Sequence, residues 1–175
     1  MLIRCAFALT LLLPTASLSQ SNEPPEIAMI EAIDFIQATR AEFIGKHEEA
    51  LAIAWEPTMQ LYARIDDSLG ELVPQFEWTD DYVEVYGCLY DRLTEQDALG
   101  EANAMFSGIQ ASIEYIYANP DFTMLTMTEH EAFIDMLQPS DLYLEASISC
   151  GIGALSAQTM QDSGLVDAFM AFISQ

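Results

Sequence analysis

A chain of 175 residues with 28 Asp and Glu against five Lys and Arg carries a formal net charge of −23. That surplus excludes nucleic acid as a partner on Coulomb grounds and weighs almost as heavily against an anionic membrane surface. Two roles remain for the acidity: solubility in a salty medium, or attraction of a basic partner protein.

The N-terminus reads as a secretory signal peptide over residues 1–19. Met1-Leu2-Ile3-Arg4 is a short basic start, Cys5 to Leu13 is apolar, and Ser17-Leu18-Ser19 places small residues before Gln20. The apolar run stops at Pro14, well short of the ~20 residues that span a bilayer, and Cys5 precedes the apolar run, where a lipoprotein would need its cysteine after it. The expected product is periplasmic or secreted, with no stable membrane insertion. Cleavage removes Arg4 and no acid, so four basic and 28 acidic residues remain, a charge of −24. The basic ones are Arg40, Lys46, Arg64 and Arg92; residues 93–175 hold twelve carboxylates and no Lys or Arg.

Residues 20–25 read as a disordered leader and residues 26–175 as a single all-α domain, a compact bundle of six or seven helices without a convincing strand. Ile33, Ile36, Phe43, Ile44, Leu51 and Trp55 recur at helical spacing between Pro24-Pro25 and Pro57, which predicts a first long helix ending at Pro57. A second is predicted over 59–73, with Leu61, Ile65, Leu69 and Leu72 on one face before Pro74. Thr79 reads as a cap, with Asp80 and Asp81 in the first turn of a helix that aligns Tyr82, Val85, Tyr86, Leu89 and Leu93. Thr94 with Asp97 reads as the start of the next helix, through Met105, Ile109, Ile113, Ile116 and Tyr117 to Asn119-Pro120. Thr128 and Glu131 have capping-box spacing, Ser140 can cap a further helix, and Leu165–Ile173 makes a last one after Gly164.

Without Cys5, an even pair remains in an oxidising compartment, so Cys88 and Cys150 are expected to form one disulfide. The small residues of 146–157 would let a neighbouring backbone come close enough for that bond. Catalytic signatures are missing. His47-Glu48 and His130-Glu131 begin like HExxH, but Leu51 and Ile134 stand where the second histidine belongs. Gly151-Ile152-Gly153 lacks a preceding strand, a third glycine and any basic residue, and Asp66-Asp67 and Asp80-Asp81 lack the alternating ligands of a calcium loop. No GxSxG elbow is present, and nothing selects a carboxylate pair for glycoside cleavage.

Three weaker features qualify as candidate sites. Arg40 and His47 fall on the apolar stripe of the first helix, seven residues apart, and could line a pocket for a small ligand, the alternative being a paired arginine and a satisfied half-buried histidine. Met124, Met127 and His130 form M-x-x-M-x-x-H, two thioethers and an imidazole suited to copper(I), with Met105 or Met136 able to complete the set; methionine as core filler is the competing reading. Tyr82, Tyr86 and Tyr90, with Trp55 and Trp78, could line a cleft, although the stripe they share with Leu89 and Leu93 reads as core. The sequence therefore predicts a non-enzymatic, exported binding module for a basic extracytoplasmic protein, in the manner of an inhibitor, immunity protein or chaperone, and needing no cofactor. A small-ligand or copper carrier is the alternative.

Overall fold

Thr39 opens the first long helix through a reciprocal cap. Its hydroxyl accepts from the Glu42 N–H, while the Glu42 carboxylate accepts from the Thr39 N–H at 2.8 Å. Helix α1 then runs over Arg40–Ala63, directly through Pro57, where a helix end was expected. The buried ring removes one backbone bond, and the Thr58 hydroxyl donates to the Ala54 carbonyl at 2.7 Å beside it. The structure, a computed structural model, describes Met29, Ile30 and residues 34–174; the signal peptide 1–19, the leader 20–25 and Ile33 of the first stripe lie outside the described residues.

Helix α2 is one turn, Asp67–Gly70, capped by Asp66, so the helix expected over 59–73 is divided between the end of α1 and this turn. Residues 74–79 are then extended. Helix α3, Asp80–Glu95, has Thr79 at its N-cap position, but the hydroxyl makes no capping bond. Thr94 and Asp97 do not begin the next helix; they close α3. The Asp97 N–H reaches the Thr94 carbonyl and the Ala98 N–H the Leu93 carbonyl, with Asp97 at φ 54° in the left-handed position that glycine usually fills. Helix α4, Glu101–Ala118, ends at Asn119-Pro120 as expected.

The Thr128/Glu131 box does not form, because Thr128 lies inside a 3-10 turn at Met127–Glu129, and α5, Glu131–Met136, begins after His130 without a side-chain cap. Ser140 does cap α6, Asp141–Cys150. The small-residue stretch is not one helix: Gly151 at φ 79° separates α6 from α7, Ile152–Asp162, and Gly164, also at φ 79°, precedes α8, Leu165–Ile173. Among the described residues there are eight α-helices, six of them seven residues or longer, and no strand. None is long and apolar enough to cross a membrane.

Helix α1 packs on α3 and α4, and α3 also meets α6 and α7. The largest core gathers Phe35, Phe43, Tyr86, Leu89, Leu93, Phe106, Ile113 and Tyr143 between these helices. A second cluster holds Leu61, Ile116, Phe122 and Phe133, and a third seats Leu165 of α8 on Met59 and Leu69. Cys88 of α3 and Cys150 at the end of α6 are bonded, with Cα atoms 5.7 Å apart. The two cysteines are 62 positions apart, and in the chain-entropy account closing a loop of that length stabilises the fold by about 4 kcal/mol.

Candidate functional site

The extended segment after α2 is fixed by its aromatic residues. The Trp55 indole N–H, on α1, donates to the Pro74 carbonyl at 2.8 Å and so ties the segment to the long helix. Beyond Pro74, the Phe76 ring lies 5.6 Å from Trp55 and about the same again from Trp78 and Tyr82, at 6.3 and 6.2 Å. Trp78 stacks on Tyr82 at 5.2 Å and on Tyr86 at 5.5 Å, with interplanar angles of 17° and 25°. Tyr86 in turn lies against His47 at 4.6 Å, so one ladder of rings runs from the surface into the core.

At its outer end the ladder opens into a cleft of about 460 Å³ between residues 74–82 and α7. Trp55, Phe76 and Tyr82 supply aromatic lining, Leu155, Gln158, Thr159 and Ser163 the opposite wall, and Glu77, Asp81 and Asp162 three exposed carboxylates. No basic residue lines it. Among the described residues these carboxylates have neither an ion-pair nor a hydrogen-bond partner, because the cations are engaged elsewhere. Arg40 Nε meets Asp91 at 3.4 Å, Lys46 meets Glu49 at 2.7 Å, and Arg92 meets Glu95 at 3.5 Å. The Arg64 guanidinium donates to the carbonyls of Ile116, Asn119 and Phe122 and satisfies the C-terminal end of α4. An aromatic surface with unneutralised carboxylates at its edge attracts a cationic group through the ring faces and the charges together.

Arg40 and His47 are not drawn into a common pocket. Arg40 is half-exposed, its guanidinium lying in the space left by the missing side chain of Gly87. His47 is 3% exposed, enclosed by Phe35, Phe43, Tyr86 and Phe106. Its Nδ1–H donates to the Phe43 carbonyl at 2.7 Å, since a carbonyl can only accept, and its Nε2 accepts from the Tyr143 hydroxyl at 3.1 Å. Loss of water around the ring pulls its pKa down to about 4, and burial pushes the Tyr143 hydroxyl well above the ordinary range. Both groups are neutral at physiological pH and satisfy each other.

Met124 and Met127 pack against the cluster of Leu61, Ile116, Phe122 and Phe133, and the half-buried His130 ring lies 4.7 Å from Phe122 of that cluster. Met105 belongs to the other core. The cleft itself was visible in the sequence only as Trp55, Trp78 and the tyrosine stripe. Missing were Phe76 and the three carboxylates, for which spacing gives no signal, and it is Trp78 that stacks on both Tyr82 and Tyr86, with Tyr90 donating instead to the Ala38 carbonyl. Comparison of the chain with protein-family models, curated proteins and solved structures finds no match.

Proposed function

We propose that this protein is an exported, non-enzymatic binding module whose aromatic cleft seats a cationic side chain of a basic partner protein. The observation that carries this reading is the set Glu77, Asp81 and Asp162, three carboxylates without partners beside Trp55, Phe76 and Tyr82. A charge excess serving solubility alone has no reason to keep its acids beside a concave aromatic surface. A guanidinium stacked on these rings while meeting a carboxylate gains from both contacts, with the ring contact worth about 0.5–2 kcal/mol as water is excluded.

The chain has two tryptophans, Trp55 lining the cleft and Trp78 stacked beneath its Tyr82, so intrinsic fluorescence reports on the site. Titration with a short arginine-containing peptide should change that fluorescence saturably. Glu77→Gln/Asp81→Asn/Asp162→Asn should weaken binding by about 10-fold or more, whereas Glu131→Gln/Asp135→Asn/Asp141→Asn, equal in charge removed, should weaken it much less. Equal losses in the two variants would mean that the whole acidic surface, and not the cleft, attracts the peptide.

A further inference from the structure

Residues 123–130 form a turn at Thr123–Thr126 followed by the 3-10 turn at Met127–Glu129. The Thr126 N–H donates to the Thr123 carbonyl at 3.2 Å, Glu129 to Thr126 at 2.9 Å, and His130 to Met127 at 3.2 Å. In the 3-10 turn Met127–Glu129 three residues make one turn, which brings the side chains of Met127 and His130 over one another. Met124, Met127 and His130 sit at i, i+3 and i+6 around one cluster: the two methionines pack against the group Leu61, Ile116, Phe122 and Phe133, and His130 lies against Phe122 of that group. The Met124 N–H bonds to the Leu61 carbonyl at 3.2 Å, which pins the segment to α1.

The imidazole is oriented as well. The Tyr115 hydroxyl, on α4, lies 2.7 Å from His130 Nδ1, and its ring is edge-on to the imidazole at 5.8 Å. With Nδ1–H donating to that hydroxyl, the lone pair sits on Nε2, the arrangement in which a second group fixes a ligating histidine. We propose that Met124, Met127 and His130 bind copper(I) through two thioether sulfurs and Nε2, with Tyr115 as the positioning residue. Thioethers are soft donors that select copper(I) over zinc, magnesium or calcium, and the neighbouring Phe122 ring gives a desolvated cation a favourable face. Among the described residues no group of three or more His, Cys, Asp and Glu side chains could hold a harder ion. This site is separate from the acidic cleft and does not depend on the binding reading above.

The test is a copper(I) titration of the full chain against a competing bidentate copper(I) chelator. Ascorbate serves as reductant so that Cys88–Cys150 stays closed, and Cys5 is alkylated so that no thiol competes. One equivalent should be retained, with sulfur and nitrogen neighbours in its X-ray absorption spectrum. Met124→Leu/Met127→Leu, which conserves volume and should leave the thermal midpoint nearly unchanged, should weaken retention by about 100-fold or more. Tyr115→Phe should weaken it by about 10-fold while the sulfur and nitrogen neighbours remain. Failure to retain copper against the chelator, or retention by the folded double leucine variant at the parent affinity, overturns the proposal.

Discussion

Around His47 the rings of Phe35, Phe43, Tyr86 and Phe106 close into a dry cluster, whereas at the other end of the same ladder Trp55, Phe76 and Tyr82 line a cleft open to water with three carboxylates at its edge. Tyr86 and Trp78 join the two. At the closed end each polar group has one partner, Nδ1 on Phe43 and Nε2 on Tyr143, so the residues contribute stability and present nothing to a ligand. At the open end the acids have no partner among the described residues, and the rings of Trp55 and Phe76 are half-buried. The same side-chain class therefore supports the fold where rings cover it, and is left open to water where carboxylates replace the covering rings.

The largest expected contrast comes from removing one ring from each end. Phe43→Ala should destabilise the fold by about 3–5 kcal/mol, as for other buried phenylalanines. Phe76→Ala should cost only about 1 kcal/mol yet lower affinity for the arginine peptide, because Phe76 is half-buried and lines the cleft. Denaturant unfolding of the two variants measures the difference, and equal losses would break the distinction.

Acid is the next lever. With a native His47 pKa of about 4 against 6.5 in the unfolded chain, the unfolded state binds the extra proton. Stability from the neutral imidazole is complete above pH 6.5 and is lost as the pH falls toward 4, by about 3 kcal/mol at roughly 1.4 kcal/mol per unit. Comparison with His47→Gln across that window removes the contribution of the carboxylates common to both proteins. A constant stability difference between them would contradict a sealed, neutral histidine.

Tyr143→Phe should cost about 1–3 kcal/mol, because Nε2 of His47 then has no donor within a dry cluster, and it should leave peptide affinity at the cleft unchanged. The smallest effect on folding belongs to Glu77→Gln/Asp81→Asn/Asp162→Asn. These exposed acids have no ion pair or hydrogen bond to lose, and relief of like charge in a chain of net charge −23 opposes the helix-dipole contact that Asp81 loses in the first turn of α3, so stability should shift by no more than about 0.5 kcal/mol.

Much of the fold was legible because apolar periodicity carries it: the stripe Tyr82, Tyr86, Leu89 and Leu93 is buried, and the Gly164 and Pro120 boundaries hold. The errors fall where one residue type serves two purposes. Pro57 does not end α1, because one missing backbone bond is tolerated where the ring is buried in the long helix. Thr94 and Asp97 have the spacing of a helix start, yet they form a helix end in which Asp97 takes the left-handed position. Gly151, among small residues that suit a close-packed helix, breaks it instead. The disulfide followed from counting cysteines; the cleft did not follow from anything local, since it joins Trp55, residues 74–82 and α7 across more than a hundred positions.

The most direct test of the account is a residue-resolved map: the ¹H–¹⁵N spectrum of the protein titrated with arginine methyl ester at physiological salt. Shifts concentrated on the Trp55 and Trp78 indole N–H groups, residues 76–82 and residues 158–163, with His47 and its neighbours unmoved, are the predicted result. Shifts scattered over all the acidic surfaces, with none saturating at the cleft, would contradict it.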